Sequence, residues 1–205
     1  MTTIPQQLSL GITGSIGSGK TLVGDIFAEL GHPLFDADLA VHRLLSPGNE
    51  GYQQVVKKFG QQFVQNDDTI NRSALGKHVF ADPSARRDLE AILHPLVRHQ
   101  EIEFLTNHQQ GLFPVLVIPL LFETNAEKLF SHTAVVTVSH TTRLERLKNR
   151  RDQLSPEQIE QRLAAQMSQE EKVNRADFVI DNNGTPEATK KQVLQLIEKL
   201  TKPTH

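Results

Sequence analysis

The spacing of apolar residues along this chain changes several times, and each change marks an element. Leu8, Leu10 and Ile12 alternate as a strand does, and beyond residue 20 the spacing becomes helical, with Leu22, Ile26 and Leu30 on one face. Gly31-His32-Pro33 stops that helix, and Leu34-Phe35 leads into Asp36-Ala37-Asp38. From about residue 39 to 111 the patterns are helical with charged faces and include no buried strand. Within this stretch Asp82-Pro83-Ser84 opens a helix over Ala85–Leu93, predicted to stop near His94-Pro95 because proline removes a helical hydrogen bond. Val115–Ile118, Ala134–Val138 and Phe178–Ile180 are continuous apolar runs, the signature of strands buried on both faces of a parallel sheet. Ser155-Pro156-Glu157-Gln158 and Thr185-Pro186-Glu187 are helix starts, with a capping hydroxyl and proline at the first helical position. Val193, Ile197 and Leu200 give the last helix its apolar stripe. Strands alternating with helices predict an α/β fold, an open parallel sheet with helices on both faces.

Composition narrows the function classes. At 205 residues the chain fits one domain, perhaps with an inserted subdomain, and buries a substantial core. The absence of cysteine excludes disulfides, iron–sulfur clusters and thiolate nucleophiles. A net charge of −2 gives no overall nucleic-acid signature. The first residues lack the basic and apolar regions of a signal peptide, and the nearest candidate for a membrane span, residues 112–122, is too short. A cytoplasmic location is the expectation, with neither membrane nor nucleic acid as partner.

The chemistry concentrates after the first strand. Gly14-Ser15-Ile16-Gly17-Ser18-Gly19-Lys20-Thr21 matches every fixed position of the phosphate-binding pattern G-x-x-x-x-G-K-[S/T], between a strand and a helix as that loop requires. Glycines let backbone N–H groups turn inward around phosphate oxygens, and the helix N-terminus adds partial positive charge. Lys20 is placed to reach the β- and γ-phosphates, and Thr21 offers a hydroxyl to Mg²⁺. A chance Gly/Ser turn does not account for strand, loop, Lys-Thr and helix together. A nucleoside triphosphate is the expected ligand, bound by Gly14, Ile16, Gly17, Ser18, Gly19, Lys20, Thr21 and Leu22.

Asp36 and Asp38 follow the second strand, where open α/β sheets bind ligands. In an extended segment they point to opposite sides, so one carboxylate suits an attacking hydroxyl and the other suits Mg²⁺ through water. An Asx turn or a helix N-cap is the competing explanation. Arg143, Arg146, Lys148, Arg150 and Arg151 form a basic cluster suited to the equatorial oxygens of a transferring phosphoryl group. Interleaved Glu145 and Asp152 equally suit a solvated helix face, and one or two functional arginines are expected. The Val115–Ile118 run ends in Pro119-Leu120-Leu121-Phe122-Glu123 and not in the metal-binding aspartate of P-loop hydrolases, no Asn-Lys-x-Asp element reads guanine, and the histidines lack tight ligand spacing.

The order of these motifs resembles the dephospho-coenzyme A kinase family over nearly the whole chain. The matching elements are residues 13–21, Asp36-Ala-Asp38, Leu93-His-Pro95, Pro119-Leu-Leu-Phe-Glu123, the region of Arg150-Arg-Asp152, Ala164-Ala-Gln166 and residues 176–184. Ser15, where the family usually has glycine, and Thr21-Leu22, where Ser-Thr is common, are the departures, and the hydroxyl at the Mg²⁺ position is kept. The resemblance implies a single P-loop kinase domain with its core at about 1–40, 112–140 and 176–205. It also implies a helical substrate region at about 41–111 and a lid at about 141–175. The implied reaction is ATP-dependent phosphorylation of the ribose 3′-hydroxyl of dephospho-coenzyme A. By the same resemblance Asp38 is the base and Arg151 a lid arginine near the phosphates, with Lys20 completing the catalytic set. Thr13, Asp38, His94 and Pro119 lie on the acceptor side, Asn182 near adenine, and Thr21 with Asp36 at Mg²⁺. A monomer or weak homo-oligomer is expected. A kinase for a nucleoside monophosphate or small metabolite is the nearest alternative, and a nucleotide-gated binding module without an acceptor is one of a different class.

Overall fold

The alternating first stretch and the three apolar runs align side by side in one parallel sheet. The structure, a computed structural model, describes residues 8–149, 163 and 166–202. Its strands are β1 (Leu10–Thr13), β2 (Leu34–Asp36), β3 (Val115–Val117), β4 (His132–Thr137) and β5 (Phe178–Asp181). They lie in the order β2-β3-β1-β4-β5, and every pairing is parallel. The chain proceeds to one side of β1 through β2 and to the other through β4. This makes the carboxyl end of β1 the switch point at which such sheets bind ligands.

The helices are α1 (Lys20–Glu29), α2 (Ala37–Leu44), α3 (Glu50–Phe59), α4 (Arg72–Ala81), α5 (Pro83–Asn107), α6 (His140–Lys148), α7 (Gln169–Arg175) and α8 (Pro186–Thr201). The chain divides into two compact units, Met1–Asp36 with Leu105–His205, and Ala37–Phe104. In the first, Leu10, Ile12, Val115, Val117, Ala134, Val136 and Ile180 present one face of the sheet to Val23, Ile26 and Phe27 of α1 and to Val193 and Leu196 of α8. Phe27 packs edge-on to His32, whose Nδ1 lies 2.9 Å from the Phe113 carbonyl, so the chain reversal between α1 and β2 is fixed to the start of β3. The second unit has its own core of Leu45, Val55, Phe59, Ile70, Leu75, Val79, Ala85 and Leu93. Among the described residues no helix is long and apolar enough to cross a membrane.

The structure departs from three of these expectations, one of them an element boundary. The fully buried face of α1 is Val23, Ile26 and Phe27, with Leu22 and Leu30 at its margin, because the sheet lies over the adjacent stripe. Val179, read as doubly buried, is 49% exposed because β5 is an edge strand with one neighbour. The helix expected to stop near His94-Pro95 runs on through Pro95 to Asn107. Its start is as expected: Asp82 Oδ1 accepts from the Ser84 N–H at 2.7 Å, and Pro83 is the first helical residue. Pro95 withholds one hydrogen bond, but it and Ala91 lie on the exposed side, where solvent reaches the freed carbonyl. Beyond it the helix buries Val97 and Leu105. At about 1.5–3 kcal/mol each this burial matches or exceeds the cost of about 3 kcal/mol for an interior proline. The expected helix start at Ser155, together with Arg150, Arg151 and Arg162, lies outside the described residues.

Candidate nucleotide-binding site

The segment between β1 and α1 is a closed loop wrapped around its own lysine. Lys20 Nζ donates to the carbonyls of Gly14 at 2.8 Å and Ser15 at 3.2 Å, and the Ser18 N–H donates to the Ser15 carbonyl at 3.1 Å. Gly17 and Gly19 have φ of 80° and 89°, a region that favours glycine, and Gly19 is the N-cap of α1. A Cβ at Gly14 would lie 2.5 Å from the Val136 carbonyl oxygen and 2.6 Å from Ser18 Oγ, and one at Gly19 would strike the side-chain amide of Asn182. The loop is therefore packed too closely on Val136, Ser18 and Asn182 to carry side chains at Gly14 and Gly19. Ser18 is fully buried and its Oγ has no hydrogen-bond partner. Thr21 is exposed in the first turn of α1, and Leu22 is half-buried against the core.

Around this loop the carboxyl edge of the sheet collects further residues. Thr13, the last residue of β1, donates through Oγ1 to the Pro119 carbonyl at 3.2 Å. Lys172 Nζ, on α7, donates to the same carbonyl at 2.8 Å and pairs with Glu123 at 2.9 Å. Lys172 is fully buried; desolvation lowers its pKa, and the Glu123 carboxylate opposes that shift. Asp36 ends β2 level with Val117 of β3. Asn182, just after β5, is 1% exposed and lies beneath the loop. Its amide donates to the Ser18 carbonyl at 2.8 Å, and its carbonyl oxygen accepts from Thr189 Oγ1 at 2.8 Å.

Thr13, the whole loop, Asp36, Pro119 and Asn182 thus belong to one unit. Asp38, exposed in the first turn of α2, and His94, on the exposed face of α5, belong to the other. Arg151 lies outside the described residues. Two arginines of the basic cluster sit closer to the loop than the sequence reading assigned. Arg146 donates to the Asn182 carbonyl at 2.8 Å and to the Ser18 carbonyl at 3.4 Å. Arg143 donates to Gln169 Oε1 at 2.6 Å, and its stem abuts Gly17. Burial lowers the pKa of Arg143. The available signal was their spacing of three, which puts both guanidinium groups on one face of α6. Gln166 is a further residue without a role assigned from sequence: its Oε1 accepts from the Ile16 N–H at 3.1 Å.

A glycine-lined loop at the switch point of a five-stranded parallel sheet, with lysine and threonine opening the next helix, is the arrangement of a P-loop kinase fold. A Thermus thermophilus crystal structure shares this fold at a TM-score of 0.79 and 33% identity, covering 97% of this chain and 100% of that one. The model of the dephospho-CoA kinase family matches residues 8–187, and the chain belongs to that family. The dephospho-CoA kinase of Oceanobacillus iheyensis is 39% identical over 94% of this chain and 97% of its own length. That of Symbiobacterium thermophilum is 42% identical over 90% of this chain and 77% of its own length. The structure of dephospho-CoA kinase from Campylobacter jejuni aligns at a TM-score of 0.65 with 26% identity, over 97% of this chain and 100% of that one. A shikimate kinase from Acinetobacter baumannii, at a TM-score of 0.56 and 20% identity, shares the fold alone.

Proposed function

We propose that this chain transfers the γ-phosphoryl group of ATP to the ribose 3′-hydroxyl of dephospho-coenzyme A, giving coenzyme A. Family membership across residues 8–187 supports the overall reaction. The single structural observation that carries the kinase reading is the loop itself, which turns around Lys20 and packs so closely on Val136, Ser18 and Asn182 that Gly14 and Gly19 cannot carry side chains.

In this reading the loop amides and the N-terminus of α1 hold the phosphate oxygens, and Lys20, kept on the Ser15 carbonyl, turns its remaining N–H donors to the β- and γ-phosphates. Among the described residues no group of three histidines or carboxylates could hold a metal. One hydroxyl, Thr21, and one carboxylate, Asp36, form a donor set too small for a dedicated cage but suited to Mg²⁺, which keeps waters and takes phosphate oxygens as ligands. When bound, Mg²⁺ offsets charge between the phosphates. Asp38 orients the 3′-hydroxyl and takes its proton late, because a loose transition state asks little of the nucleophile. Arg151 offsets charge on the transferring group. Thr13, His94 and Pro119 serve the acceptor side.

The test is ADP production with ATP alone, with dephospho-coenzyme A, and with a panel of nucleoside monophosphates and small hydroxylated metabolites. Stimulation by dephospho-coenzyme A above every other acceptor supports the proposal. Equal stimulation by a monophosphate would support the metabolite-kinase alternative, and no stimulation by any acceptor would support a nucleotide-gated module.

A further inference from the structure

The peptide between Ser15 and Ile16 is held from both sides. Its carbonyl accepts from Lys20 Nζ at 3.2 Å and from the Ser18 N–H at 3.1 Å. Its N–H donates to Gln166 Oε1 at 3.1 Å. In a trans peptide the C=O and N–H point in opposite directions, so fixing one fixes the other. A glutamine that takes the N–H therefore aims the Ser15 carbonyl at the lysine. Ile16 and Gln166 are separated by 150 residues, so the loop's own sequence cannot supply this restraint.

Gln166 is itself held. The next residue, Met167, donates its backbone N–H to Glu123 Oε1 at 2.8 Å. Glu123 is paired with the fully buried Lys172, which also donates to the Pro119 carbonyl. The Pro119 carbonyl in turn accepts from Thr13, one residue before the loop. The pair thus ties the segment carrying Gln166 to the root of the loop that Gln166 restrains. The pair, with Lys172 fully buried and Glu123 18% exposed, gains little net stability over apolar packing, but it ties together the segments it joins.

We propose that Gln166 is a positioning residue of the phosphate loop, set in place by the Lys172–Glu123 pair. It pre-orients the Ser15–Ile16 peptide and, through it, the Lys20 ammonium for a triphosphate. This rests on the nucleotide-binding part of the reading above and is independent of the acceptor.

The experiment is calorimetric binding of a non-hydrolysable ATP analogue with Mg²⁺ to the full chain, with no acceptor present. Binding is measured at a temperature where circular dichroism shows every variant fully folded. Failure of the wild-type chain to bind the analogue would refute nucleotide binding itself, whereas the variants address Gln166. Gln166→Met keeps the side chain's length and removes its acceptor. It should raise Kd about tenfold, the effect of one lost hydrogen bond to a loop donor. The double variant Lys172→Met, Glu123→Leu leaves no charge buried alone, so its melting temperature should stay near that of wild type while its Kd rises as in Gln166→Met. A Kd within twofold of wild type in Gln166→Met would overturn the proposal. Tighter binding there would also overturn it, by showing that the glutamine competes with phosphate for the Ile16 N–H. Wild-type affinity in the double variant would remove the pair from the account.

Discussion

Asn182 donates its side-chain amide to the carbonyl of Ser18 at 2.8 Å, joining the end of the last strand to the floor of the phosphate loop. The side chain is almost fully buried, and its other end accepts from Thr189 on α8, so both halves of the amide are used. Asn182→Asp should therefore be more damaging than its small change in shape suggests, because a carboxylate would face the Ser18 carbonyl without a proton to donate. Leaving such a buried group unsatisfied costs about 1–3 kcal/mol. Chemical denaturation should show that loss, together with a weaker affinity for ATP. Unchanged stability and affinity would mean that the loop does not depend on this residue.

Arg146 bridges the carbonyls of Ser18 and Asn182 with one guanidinium group. Arg146→Lys retains the charge but not the planar fork, so it should recover only part of what Arg146→Ala loses. Charge-assisted hydrogen bonds contribute about 1.5–3 kcal/mol, so the KM for ATP should rise roughly ten- to hundredfold in the alanine variant. Steady-state kinetics at saturating acceptor would check this. A lysine variant equal to wild type would show that only net charge matters there.

The two aspartates separate by experiment. Asp38→Asn should lower kcat by roughly 10²–10⁴ with little change in ATP affinity, as expected for a positioned base. Asp36→Asn should instead show a defect that diminishes as Mg²⁺ is raised. If Asp36→Asn is the more damaging and indifferent to Mg²⁺, the two roles are reversed.

Glu101, 3% exposed on α5, has its pKa raised to about 6, mainly by desolvation, with Arg98 at 3.1 Å opposing the shift. Because the folded state holds this proton more tightly than the unfolded one, its contribution to stability is complete below about pH 4.5 and is lost as the pH rises through about 6. Glu101→Gln mimics the protonated form. It should be more stable than wild type by up to about 2 kcal/mol at pH 7 and equal to it at pH 4.5. Urea titrations at the two pH values would test this, and a difference independent of pH would contradict it.

The sequence carried more of the sheet than of the contacts around the loop. Val115–Val117 and the part of β4 from Ala134 onward were legible because strands buried on both faces must be largely apolar, and the loop was legible because its glycines cannot be replaced without collision. Pro95 misled because a local rule for ending a helix was outweighed by apolar burial farther along α5. Arg146 was legible only as one of a basic cluster and Gln166 only as part of a family element, while Lys172 carried no signal, and none of the three revealed its partner. Their partners at Ser18, Ile16 and Glu123 are 49 to 150 residues away and are brought to them by the tertiary fold, not by local sequence.

The most direct measurement is phosphorus NMR of the product formed from ATP and dephospho-coenzyme A, run with the wild-type chain and with Lys20→Ala. The account predicts one new phosphomonoester at the ribose 3′ position, appearing in step with ADP, and a rate about 10²–10³ lower in the variant. ADP without a new phosphomonoester, a phosphate at another position, or an undiminished rate in Lys20→Ala would contradict it.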